Sequence, residues 1–257
     1  VLESPKPVKR EDPARHGTWE AKVNKIRLCT YDHEVWQLWL DMRWLLQLWE
    51  DLDRESVRAV RILKCLFDAT VAYCGQPANA AKARAVLARE LSKPASASAL
   101  STVAVGHAHI DTAWLWRLGE TRRKVARTYA SQLDLIKKYP GYVFGASAPQ
   151  HHAWIKQDHP ELYQAIKQAI KDGSWEPQGA MWVESDCNLL SGESMVRQVL
   201  HGKNYWMDEF GVDVKNCWIP DVFGYTGTMP QIMRRAGVDF FQTQKMSWSK
   251  MNVFPHD

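Results

Sequence analysis

The stretch Thr102-Val103-Ala104-Val105-Gly106-His107-Ala108-His109-Ile110-Asp111-Thr112-Ala113-Trp114 decides how this chain is read. It opens as a short apolar run and closes on two imidazoles, a carboxylate and an indole. Residues Thr102 to Gly106 read as a strand bounded by glycine. If the backbone stays extended, side chains alternate, so His107, His109 and Asp111 share one face while Ala108 and Ile110 take the other. A helix would splay them. Neutral imidazole and carboxylate are ligands that Zn²⁺ accepts, and a site with fewer than four protein ligands leaves room for substrate. A hydrogen-bonded cluster of buried polar groups is the other reading of the same string.

Working outward, the chain from Thr102 onward alternates short apolar runs with amphipathic stretches, the signature of βα units and a parallel sheet. The expected strands are Thr102 to Gly106, Tyr142 to Ala146, Glu176 to Val183, Lys215 to Ile219 and Phe240 to Thr243. Ser191 is placed to cap a helix that ends before Gly211, Pro160 suits the first turn of a helix ending at Gly173, and Pro230 opens another. Polar residues fall after the strands: His109, Asp111 and Trp114 after the first, Gln150 and His151 after the second, Glu184 and Asp186 after the third, Asp221 after the fourth, Lys245 after the fifth. That placement is expected of an active site in a parallel barrel. A dinucleotide-binding sheet is disfavoured, because the first βα turn lacks G-x-G-x-x-G and no G-x-x-x-x-G-K-[ST] occurs anywhere.

The first hundred residues differ. Residues 1–20 are polar and rich in proline and charge, an irregular lead. Val35, Trp36, Trp39, Leu40, Leu46 and Trp49 then recur at helical spacing, as do Val57, Val60, Leu63, Phe67 and Val71, and an Ala-rich helix runs from about Asn79 to Leu91. The tract Ser92 to Ser98 reads as a linker. The expected domains are therefore a helical module over residues 1–100 and a βα region over residues 101–257.

With 46% hydrophobic residues the 257-residue chain can bury a sizeable core, and 33 basic against 29 acidic residues leave a net charge of only +4. The basic residues form no long run, so no nucleic-acid partner is expected. Thirteen tryptophans suit a core, with some rings left to stack on sugars. The five cysteines are odd in number and contain no C-x-x-C pair, against a disulfide framework or a thiolate zinc site and in favour of a reducing compartment. No run approaches the length needed to span a bilayer. The chain begins at Val1 without an initiator methionine and stops at Phe254-Pro255-His256-Asp257, which suggests a piece of something longer.

Two further segments join the first: Trp182-Val183-Glu184-Ser185-Asp186-Cys187-Asn188 and Trp218-Ile219-Pro220-Asp221-Val222-Phe223-Gly224-Tyr225-Thr226-Gly227-Thr228-Met229-Pro230. In this order and spacing the three resemble the catalytic domain of class II α-mannosidases, glycoside hydrolase family 38, most closely the cytosolic and vacuolar type. The resemblance covers about residues 101–257. It implies an α/β fold in which the helical module is followed by part of a parallel seven-stranded β/α barrel. It implies that His109 and Asp111 are the first two zinc ligands and that Asp221 is both a zinc ligand and the nucleophile. Trp114 matches the aromatic beneath the mannose ring, and Lys245 falls where related enzymes place a basic residue near the substrate. His107 lies in the variable part of the motif and is assigned support, its N–H orienting a ligand.

A retaining glycosidase uses one carboxylate as nucleophile and a second as acid and base. The resemblance places that second carboxylate, and a further zinc-binding histidine, downstream, so this chain is expected to be the N-terminal part of a longer enzyme; whether it turns over substrate alone stays open. The implied activity is zinc-dependent, retaining exo-hydrolysis of terminal α-D-mannose from oligosaccharides, in N-glycan or free-oligosaccharide catabolism. Zn²⁺ would serve as template and Lewis acid. A cytoplasmic location is expected, the vacuole being the variant, with no membrane partner; assembly into a homo-oligomer stays open. Two other readings remain, a metal-dependent amidohydrolase, whose barrel also carries H-x-H after its first strand, and a non-catalytic carbohydrate-binding fragment.

Overall fold

The computed structural model describes residues 28–95, 98–248 and 251. The irregular lead expected over residues 1–20, and His256 and Asp257, lie outside the described residues. The chain divides into two compact units, Val1–Ser101 and Thr102–Asp257.

The first unit is a cluster of three helices, α1 (His33–Asp51), α2 (Val57–Tyr73) and α3 (Ala80–Leu91). Asp32 and Ser56 start the first two by accepting Val35 N–H at 3.1 Å and Ala59 N–H at 3.2 Å, contacts each worth about 1 kcal/mol. Their shared core is Leu38 and Leu45 of α1, Ile62, Leu66 and Ala69 of α2, and Ala83 and Leu87 of α3. Arg84 of α3 pairs with Asp41 at 2.8 Å and Glu34 at 3.0 Å on α1. The apolar stripes picked out by spacing are largely not this core. Val57, Val60, Leu63, Phe67 and Val71 are all exposed, as are Trp36, Trp39 and Leu46. Both helices carry two apolar faces, and packing buries the ones that hold Leu38 and Leu45 in α1 and Ile62 and Leu66 in α2.

The second unit has parallel strands joined by helices. In chain order, with α4 (Leu118–Lys138), α5 (Pro149–Asp158), α6 (Pro160–Lys171), α7 (Gly192–Phe210) and α8 (Met229–Arg235) between them, the strands are β1 (Gly106–His107), β2 (Phe144–Ala146), β3 (Trp175–Pro177), β4 (Asn216–Trp218) and β5 (Phe240–Gln242). One parallel sheet runs β1-β2-β3, pairing Gly106 with Phe144 and Phe144 with Trp175; the other pairs β4 with β5, Cys217 opposite Phe241. The gap between sheets is bridged where Ala180 N–H reaches Asn216 O at 2.9 Å. The helix signals in the sequence appear as expected: Ser191 caps α7, Gly211 ends it at φ 70°, and Pro160 opens α6.

All five strands are shorter than expected. The third stops at Pro177 instead of Val183, because Gly179 turns the chain at φ 74° and a Cβ there would stand 2.5 Å from Ser147 O. Residues 102–105 precede the first sheet pairing and are not strand. Among the described residues the parallel strands number five.

The core has two parts. Tyr129, Phe144, Ile155, Tyr163, Ile166 and Trp175 fill the space between β2, β3 and helices α4 to α6. Met195, Val199, Cys217, Ile219, Met229 and Met233 pack α7 and α8 on β4. At Gly202 α7 comes so close that a Cβ would meet Ala180 O at 2.1 Å. The consequence for function is positional: parallel strands all end on one side, and the loops beyond them converge there.

Candidate active site

His109 and Asp111 lie in the loop after β1, Asp221 three residues after β4, and Lys245 in the 3-10 turn Lys245–Trp248 after β5. The structure brings these four together. His109 Nε2 is 3.3 Å from Asp111 Oδ1 and 3.4 Å from Asp221 Oδ2. The other oxygen of Asp221, Oδ1, is held by Lys245 Nζ at 2.6 Å, and that lysine side chain is only 9% exposed. The two oxygens of Asp221 are thus divided between an imidazole and an ammonium group.

The donor atoms fit a metal ion. A tetrahedral Zn²⁺ with bonds of roughly 2.05 Å requires ligand atoms about 3.3 Å apart, and the two distances from His109 Nε2 match that edge. One donor atom from each of His109, Asp111 and Asp221 lies within 4.8 Å of the others. One borderline nitrogen and two carboxylate oxygens are ligand types that Zn²⁺ accepts. Glu184 at Nδ1, helped by Asp111 and Asp221 beside Nε2, raises the His109 pKa to about 9 despite burial.

Glu184, on the loop following β3, completes the arrangement. Its Oε1 faces His109 Nδ1 at 3.4 Å and accepts the Ser147 hydroxyl at 3.2 Å. With Nδ1 turned to a carboxylate, Nε2 is left facing Asp111 and Asp221, the orientation a ligand imidazole needs. The rule that placed polar residues after strands reaches Ser147 as well, immediately beyond β2.

Other expectations separate. Asp186 does not join the site: it is exposed, and its Oδ1 accepts Asn188 N–H at 2.9 Å and Leu189 N–H at 2.6 Å, a local turn. His107 stays near His109, one donor atom from each of His107, His109 and Glu184 lying within 4.8 Å of the others, but its ring is held from elsewhere. Its Nδ1–H donates to Gly145 O at 2.9 Å, and its Nε2 accepts Trp218 Nε1–H at 3.3 Å, so its own N–H orients no ligand. Both ring nitrogens are engaged, and burial lowers its pKa. His151 and His152 are both buried. His151 Nε2 pairs with Thr112 Oγ1 at 3.0 Å, and His152 is enclosed by Tyr129, Trp175, Trp206 and Phe210. Gln150 is structural, its Oε1 accepting Trp182 Nε1–H at 3.0 Å.

Trp114 stands three residues past Asp111 with 68% of its surface exposed, its ring edge-on to Trp116 at 5.5 Å. Phe223 and Trp248 flank Lys245, whose ammonium lies 4.9 Å and 3.7 Å from their ring centroids. Beside them opens a cavity of about 760 Å³ lined by Phe223, Tyr225, Met229, Phe241, Met246 and Trp248. Charged donors rimmed by aromatic faces form a surface on which a polyhydroxylated ring could lie. No helix among the described residues is long and apolar enough to cross a membrane, and all five cysteines are free.

Comparison with known proteins gives the same picture. The chain is 38% identical over 237 residues to Alpha-mannosidase 2C1 of Homo sapiens, covering 91% of this chain and 23% of that protein. It is 35% identical over 248 residues to Alpha-mannosidase G of Dictyostelium discoideum, covering 95% of this chain and 22% of the relative. To the Alpha-mannosidase of Saccharomyces cerevisiae it is 44% identical over 153 residues, 59% of this chain and 14% of that one. The crystal structure of an alpha-mannosidase from Enterococcus faecalis V583 superposes with a TM-score of 0.50 at 28% identity, over 54% of this chain and 16% of that one. The chain thus spans under a quarter of the length of these relatives. The model described as glycosyl hydrolases family 38 N-terminal domain matches residues 99–257, and the chain belongs to that family.

Proposed function

We propose that this chain supplies the nucleophile and part of the zinc site of a retaining exo-α-mannosidase that removes terminal mannose from oligosaccharides. The observation that carries the proposal is the division of Asp221, with Oδ2 3.4 Å from His109 Nε2 and Oδ1 2.6 Å from Lys245 Nζ. A carboxylate that serves as both metal ligand and nucleophile needs one oxygen for each task. His109 Nε2, Asp111 Oδ1 and Asp221 Oδ2 would hold Zn²⁺, with Glu184 orienting His109 from behind. When bound, the ion supplies Lewis acidity and a template for vicinal sugar hydroxyls. Asp221 attacks the anomeric carbon, the C–O bond to the leaving sugar breaks, and water later releases mannose with its configuration retained. Lys245 fixes the attacking oxygen, and Trp114 offers its open face to the ring.

The acid and base carboxylate and any further zinc ligand are not assigned among the described residues. In this reading residues 1–100 are a helical module, residues 101–257 are the first part of the catalytic domain, and the strands belong to a seven-stranded barrel. N-glycan or free-oligosaccharide catabolism in the cytoplasm or vacuole is the role that suits the family resemblance and the free cysteines.

The test uses the whole enzyme with a mannose-terminated oligosaccharide, following the first-formed anomer by proton NMR. α-Mannose should appear first, and both chelation of zinc and Asp221→Asn should abolish release. β-Mannose appearing first, or turnover that survives Asp221→Asn, would refute the proposal.

A further inference from the structure

Thr121 lies one turn into α4 and is fully buried. A threonine hydroxyl inside a helix commonly bonds back to the carbonyl four residues earlier. This one turns outward to the loop that carries the site. Its Oγ1 donates to Asp111 O at 3.3 Å, accepts Ala113 N–H at 3.1 Å, and accepts Trp116 Nε1–H at 3.0 Å. One donor and two acceptors are all that a hydroxyl possesses, and every one is used on the segment from Asp111 to Trp116.

That segment needs holding. Ala113 sits at φ 73°, a left-handed conformation that costs a non-glycine residue about 1–2 kcal/mol, and its N–H also reaches back to Asp111 O at 2.9 Å. The sharp turn sends Asp111 toward His109 and leaves Trp114 exposed on the next residue. Trp116, fixed through its indole N–H, presents its ring at 90° to Trp114, and Lys124 of α4 lies 4.5 Å from the Trp116 ring centroid.

We infer that Thr121 is a positioning residue for both halves of the site: through the Asp111 carbonyl it fixes a metal ligand, and through Trp116 it fixes the aromatic platform. The inference rests on the proposed roles of Asp111 and Trp114, and it extends them to a residue that meets neither metal nor sugar. Thr121→Val keeps the side chain's shape and removes only the hydroxyl. It leaves the Ala113 and Trp116 N–H groups without this partner and releases the turn.

The experiment measures Zn²⁺ affinity of this chain by competition with a chromophoric chelator, together with hydrogen exchange at the Ala113 amide. Thr121→Val should weaken Zn²⁺ binding about tenfold, the lower end for losing a support of a metal ligand, and should speed Ala113 exchange by a similar factor. Thr121→Ser, which keeps the hydroxyl, should restore both to near the parent values. A Thr121→Val protein that melts earlier but binds Zn²⁺ and protects Ala113 like the parent would overturn the inference, as would failure of Thr121→Ser to restore them. If the parent itself took up no Zn²⁺, the metal reading of the site would fall, and with it the part of the inference concerning Asp111. Ala113 exchange would then still decide whether the hydroxyl holds the turn.

Discussion

His152 makes the second unit sensitive to mild acid, and the size of the effect follows from its surroundings. Its Nδ1–H donates to Ala148 O at 3.1 Å, while Nε2 is buried without a partner among aromatic rings. A proton on Nε2 would have no acceptor, so burial lowers the pKa from 6.5 to about 4. Above the unfolded-state value both states are neutral and the full stability is present. As pH falls below 6.5 the unfolded chain takes up the proton first, and stability is lost until the folded pKa is reached. Going from about pH 7.5 to about pH 5, the linkage removes about 2 kcal/mol through this one group. His152→Phe, similar in shape but unable to titrate, removes the effect, while groups remote from residue 152 contribute alike in both proteins. Urea unfolding followed by tryptophan fluorescence should show the parent losing about 2 kcal/mol more than the variant over this interval. Parallel losses would refute the argument. His151, with its pKa lowered to about 3 by burial first and by His152 and His109 after it, obeys the same sign in both proteins. Neither ring is suited to deliver a proton to a leaving group near neutral pH.

Other perturbations test the site and its support. Gly202→Ala places a methyl group 2.1 Å from Ala180 O; despite alanine's better helix propensity, it should cost about 2 kcal/mol or more, read as a lowered melting temperature. Glu184→Gln removes the carboxylate behind His109 while leaving an oxygen for Ser147, and should weaken Zn²⁺ binding about tenfold in a chelator competition. Lys245→Met should act in opposite directions on two readouts. With a cation removed from beside Asp221, Zn²⁺ affinity should rise several-fold, while turnover by the whole enzyme falls because the attacking oxygen loses its anchor.

The sequence carried the site further than it carried the packing. That His109, Asp111, Asp221, Glu184 and Lys245 gather on one side was legible from the strand-helix alternation, since each follows a strand; the roles proposed for His109, Asp111 and Asp221 came from the family resemblance. The loop geometry was not legible. Alternation puts His107 near His109, but the contacts that occupy its two ring nitrogens come from Gly145 and Trp218, far away in sequence. Asp186 follows the same strand as Glu184, yet its short side chain finds two backbone N–H groups nearby and stays in its own turn. In α1 and α2 periodicity found an apolar face, but each helix has two, and only tertiary packing selects between Ile62 with Leu66 and Leu63 with Phe67. Thr121 gave no local signal, since a threonine in an amphipathic helix looks ordinary until the loop it clamps is folded against it.

In the proposed site one zinc ion binds between His109, Asp111 and Asp221, with Glu184 behind the imidazole. Anomalous diffraction at the zinc edge, from crystals of this chain grown with Zn²⁺, tests it directly. One peak should stand about 2.0–2.2 Å from His109 Nε2 and from a carboxylate oxygen of each aspartate. A peak on the Nδ1 side of His109 against Glu184, or none between these three residues, would contradict it.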